Sequence, residues 1–85
     1  MVRYQREMRG IPVWLLAEYL QELGGKLDSD GNVSGTEWIG RLEQMEDYRI
    51  GSLRVGQVRL VIEASEEAFE ILRPGLEKKL LRAGG

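Results

Sequence analysis

The sequence predicts an α+β fold: a two-layer sandwich in which two helices cover one face of an antiparallel sheet, in the order β-α-β-β-β-β-α. Three observations predict it. Apolar residues recur at three- and four-residue steps over 13–23 and again over 69–80. They alternate with polar residues over 2–8 and 57–64, and glycine-rich or Asp-Gly turns separate the runs. A chain of 85 residues is expected to make one small domain spanning 1–85, with 83–85 as a flexible tail.

Each element has its own justification. Val2, Tyr4 and Met8 share one parity, opposite to Arg3, and Gly10 ends this first strand. Pro12 suits the first turn of a helix, where its missing N–H is no loss, and Val13, Leu16, Leu20 and Leu23 then form an apolar stripe widened by Leu15 and Tyr19. Gly24 and Gly25 stop that helix. Asp28-Ser29-Asp30-Gly31-Asn32 is turn chemistry and leads into a short strand around Val33. Residues 37–46 fit a helix through Trp38, Ile39, Leu42 and Met45, or a strand through the flanking glycines; the strand is preferred. Two more strands are expected at 49–55 and 57–64, with Gly51 and Gly56 as bends or bulges. Ser65 is the N-cap of a second helix with Glu66 and Glu67 in its first turn. Pro74-Gly75 should kink this helix or split it in two, while Phe69, Leu72, Leu76 and Leu80 keep one apolar face and Lys78, Lys79 and Arg82 favour its C-terminal end.

Composition narrows function by exclusion. With no His and no Cys, most metal, nucleophile and neutral-pH general-base chemistry has no residues to run on. Catalysis and cofactor binding are therefore not expected. Twelve basic against 14 acidic side chains, a net charge of −2, argue against electrostatic binding to nucleic acid or to acidic membranes. No apolar run reaches the ~20 residues of a membrane-spanning helix and the N-terminus lacks an apolar signal core, so a cytoplasmic location is expected. A single Asn, with no Cys or His, fits a thermophilic source.

Four features are candidates for function. Asp28, Asp30 and Asn32 have the spacing that opens a calcium loop, but Val33 and Ile39 stand where glycine and glutamate belong, so a plain turn is the better reading. Arg41, Arg49, Arg54 and Arg59, with Trp38 and Tyr48 for stacking, could form a platform for a small ligand or nucleic acid. Interleaved Glu43, Glu46, Asp47 and Glu63 favour instead the solvated outer face of a one-sided sheet. Trp14 lies off the main helical stripe and either plugs the sheet edge, the commoner case for a large aromatic, or contacts a partner. Gly84-Gly85 ends the chain either as ordinary helix-terminating glycines or as a side-chain-free tail able to thread a partner's active site, the form in which ubiquitin-like sulfur carriers end.

The run Pro12-Val13-Trp14-Leu15-Leu16-Ala17-Glu18-Tyr19-Leu20-Gln21-Glu22-Leu23-Gly24-Gly25, with Ile50-Gly51-Ser52-Leu53 and Val58-Arg59-Leu60, resembles the C-terminal domain of MoaD-related proteins, relatives of the molybdopterin-synthase small subunit. The resemblance implies a fold like that of TATA-binding-protein domains, in a module that elsewhere follows a β-grasp sulfur-carrier domain and here is expected to stand alone. It transfers no catalytic residue and no cofactor. It implies a non-enzymatic accessory module whose partner is a sulfur-carrier or molybdopterin-assembly protein; on the reading of the residues themselves, Trp14 and the open sheet face are the surfaces expected to meet it. The alternative is a sulfur carrier modified at Gly84-Gly85. Self-association through a sheet edge or an apolar helix face is also expected of so small a domain.

Overall fold

A computed structural model describes residues 1–82, which form β1 (Val2–Arg9), α1 (Val13–Glu22), β2 (Lys26–Leu27), β3 (Val33–Gly35), β4 (Trp38–Ile50), β5 (Leu53–Ala64) and α2 (Glu66–Arg82). The strands make one antiparallel sheet in the spatial order β1-β5-β4-β3-β2, and both helices lie on one of its faces. This is the predicted α+β two-layer sandwich. The connection through α1 carries the chain from the β1 edge to the β2 edge, and β2 to β5 then return as a meander.

Alternation decides which side of each strand is covered. Val58, Leu60, Ile62 and Ala64 of the second-position strand β5 are at most 1% exposed and meet Met8 of β1 and Trp38 of β4 beneath the helices. From above, α1 contributes Leu16, Ala17 and Leu20, and α2 contributes Leu72, Leu76 and Leu80. At ~25 cal/mol per Å² of apolar area removed from water, this one layer is the main source of stability. Close backbone approach matters at Gly35, where any Cβ would overlap the Trp38 indole, and at Gly75, whose missing side chain admits Leu23 of α1.

Helix ends follow the sequence closely. The α1 terminus is closed by Gly25 N–H to Leu20 O (3.1 Å) and Gly24 N–H to Gln21 O (3.0 Å), with Gly24 at φ +103°, a reciprocal pair that needs the left-handed residue. Ser65 caps α2, its Oγ accepting from Ala68 N–H at 3.1 Å. The Asp28 carboxylate accepts from the N–H groups of Asp30 and Asn32, at 2.9 and 3.0 Å, so its oxygen is engaged in folding the β2–β3 turn.

The structure differs from expectation at four places. Pro12 is the N-cap of α1 at ψ 152°, one residue before the helix. A short strand at Lys26–Leu27 precedes the turn. The 37–46 stretch is indeed strand from Trp38 onward, but that strand continues to Ile50, and β5 then runs from Leu53 straight through Gly56, so no separate strand spans 49–55. The acidic pair Glu46-Asp47, which reads as a break, is absorbed as a bulge opposite Gly56, between the pairs Met45–Gln57 and Tyr48–Val55. The reversal comes at Gly51-Ser52, with Gly51 at φ +59°, a left-handed first turn residue suited to a two-residue hairpin. Finally, of the two outcomes expected at Pro74, the split into two short helices does not occur: α2 is one helix, because Leu72, Leu76 and Leu80 hold it to the sheet on both sides of the missing N–H.

Candidate functional site

The uncovered sheet face carries the odd-numbered residues of β1 and β5 and, up to the bulge, of β4. Three strands set Glu7, Arg59 and Glu43 in one row across this face. Arg59 donates from Nη2 to Glu7 at 3.2 Å and from Nη1 to Glu43 at 3.4 Å. Arg41 Nε donates to Glu63 at 3.2 Å. All these pairs are at least one-third exposed, so each contributes at most about 1 kcal/mol. Their effect is on charge: Arg41 and Arg59, the platform arginines of this face, are already engaged by acids. Arg54 is separated from them, since its even position on β5 points it to the helix side of the sheet, opposite Arg49. The arginines therefore do not gather into one basic surface.

Trp14 and Trp38 divide the aromatic roles. Trp38 is 9% exposed and belongs to the core, whereas Trp14 is 66% exposed on the first turn of α1. The expectation that Trp14 plugs the sheet edge fails. The buried stripe of α1 runs through Leu16, Ala17 and Leu20, leaving Trp14 on the solvent side together with Glu18 and Gln21, three and four residues apart. An exposed indole offers a large, rigid apolar area at small entropic cost, the property enriched at protein contacts.

A second apolar surface escaped the sequence reading. Beyond the bulge, Tyr48, Ile50 and Leu53 at the tip of the β4–β5 hairpin are 36, 57 and 67% exposed. Arg9 steadies its base, with the guanidinium 3.6 Å from the Tyr48 ring centroid and Nε donating to Gln57 at 3.3 Å. The signal was available: Tyr48, Ile50, Leu53 and Val55 alternate across Gly51-Ser52, but placing the turn too early hid it. On the helical side, Ile71 is 83% exposed and lines a shallow groove with Leu23, Glu37 and Glu67. Gly84 and Gly85 lie outside the described residues. Among the described residues, no helix is long and apolar enough to cross a membrane.

What the arrangement can do is bind by contact: it offers exposed apolar side chains on a two-layer support, with Arg41 and Arg59 of the open face already paired with acids. No curated protein matches the chain. The sequence model of the archaeal MoaD-like protein family, however, matches residues 4–85, nearly the full length and including the Trp14 helix, the hairpin and the Gly84-Gly85 end. The chain belongs to the archaeal MoaD-like family and is a MoaD-related accessory and binding module of the kind associated with sulfur transfer and molybdopterin biosynthesis, not an enzyme.

Proposed function

We propose that this chain is a cytoplasmic docking module that engages a sulfur-carrier or molybdopterin-assembly protein through Trp14. The observation that carries the reading is the 66% exposure of this indole in a molecule whose other tryptophan is buried. A free indole surface costs solubility, and a partner that covers it recovers that apolar area as binding energy. The test is the affinity for the host's carrier-activating enzyme. Trp14→Ala should weaken it at least tenfold and leave the thermal midpoint where it was. Unchanged affinity, or a loss of folding cooperativity, would remove Trp14 as the contact.

A second reading is favoured by the extent of the family match, which runs through both terminal glycines. In it Gly85 is a carrier terminus: its carboxylate is adenylated by ATP with release of pyrophosphate, and a sulfur donor then displaces AMP to leave a thiocarboxylate. Intact mass, measured after incubation with the activating enzyme, ATP and a sulfur donor, should show a shift that maps to Gly85. An unmodified terminus sinks this reading without touching the docking one.

A further inference from the structure

We infer that the free edge of β1 pairs with β1 of a second copy across a two-fold axis at Gln5, joining two five-stranded sheets into one of ten strands. Three observations lead there. First, the edge is open and in phase. The bond from Gly10 N–H to Gly56 O (2.8 Å) continues the β1–β5 register, in which Met8 pairs with Val58 and Tyr4 with Ile62. Bonded pairs alternate in an antiparallel ladder, so the even residues of β1 spend their backbone groups on β5 and Arg3, Gln5 and Glu7 direct theirs outward. No described residue pairs with that side.

Second, the edge is complementary to itself. Antiparallel pairing about Gln5 sets Gln5 against Gln5 and Arg3 against Glu7 of the second copy, twice over, and all three outward-directed residues meet outward-directed residues. Within each chain Arg59 already lies between Glu43 and Glu7, and Arg3 lies opposite Glu63. The joined sheet therefore carries a row of Glu43, Arg59 and Glu7 continued by Arg3 and Glu63 of the second copy, in strictly alternating charge over five strands. Opposite charges directly across a strand pair are stabilising and like charges are not. Pairing shifted by two residues, with Arg3 against Arg9, loses this.

Third, the other edges are unsuited. The opposite edge strand, β2, is two residues long. The part of β4 that runs beyond β3 is interrupted by the Glu46-Asp47 bulge, a common device against edge pairing. Among the described edges, only that of β1 is long, regular and unbulged. The contact is isologous, so it closes as a dimer and does not propagate into fibres.

The test exploits the axis, because Gln5 faces only itself. Gln5 is exposed on the outer face and makes no side-chain hydrogen bond among the described residues, so substitution there leaves the fold intact, as circular dichroism and the thermal midpoint should verify. Sedimentation equilibrium of the wild-type chain should give a dimer. Gln5→Lys alone and Gln5→Glu alone each place like charges at the axis and should raise the dimer dissociation constant at least tenfold. An equimolar mixture of the two variants should recover dimerisation as a mixed species. A monomeric wild type at millimolar concentration, a dimer indifferent to either variant, or a mixture no better than its components would each overturn the pairing.

Discussion

The β4–β5 hairpin is two structures in one ladder. From Val58 to Ala64 it lies beneath the helices, and its even residues are at most 1% exposed. From Glu46 to Gln57 the same two strands continue past the helices, with Ile50 and Leu53 more than half exposed. Both halves alternate apolar and polar residues and both are antiparallel, so neither propensity nor pairing distinguishes them. What differs is the face that carries the apolar residues: the helix side over 58–64, and the uncovered side for Ile50, Leu53 and Val55 at the tip. The hinge between the halves is the bulge opposite Gly56, which adds a residue to β4 and frees the tip from the register of the packed half.

The largest test of this contrast is truncation of one apolar side chain in each half. Ile62→Ala, at 0% exposure, should cost ~2–5 kcal/mol in denaturant unfolding. Leu53→Ala at the tip should stay within ~0.5 kcal/mol. If the two cost the same, the tip is covered in solution and the contrast fails. Next comes the packing around Trp38: Gly35→Ala drives a methyl into the indole and should destabilise by ~1–3 kcal/mol, although glycine to alanine in a strand is otherwise favourable. Native-state hydrogen exchange should resolve the halves directly. Amides of 58–64 should exchange only by global opening, and those of 48–55 through local opening at lower free energy. The smallest effect is at the joint: Arg9→Ala removes the guanidinium from the Tyr48 ring and should cost about 0.5–1 kcal/mol, read mainly as faster exchange at the tip.

Much of the fold was legible because it rests on local chemistry. The Ser65 cap, the Gly24-Gly25 stop and the Asp28 turn each close hydrogen bonds within a few residues, so composition alone finds them. The 37–46 strand was legible through its flanking glycines, but its end was not. Glu46-Asp47 breaks the alternation, and only the facing Gly56 on another strand makes it a bulge. The candidate surface was legible in part. Arg41, Arg54 and Arg59 are near neighbours in sequence, yet the parity of β5 sends Arg54 to the opposite face, and the acids that engage Arg59 come from residues 16 and 52 positions away.

The sequence by itself determined the α+β class, the two helices, the alternation of the first and last strands and the absence of His and Cys, because these follow from residue type and spacing along one chain. Tertiary structure alone decided which aromatic is core and which is surface. Trp14 and Trp38 are alike in burial preference. One sits on the helix face turned from the sheet, and the other meets Gly25 and Gly35, whose lack of side chains makes room for an indole. Burial depends on what lies opposite a side chain, and that is fixed only when distant segments meet.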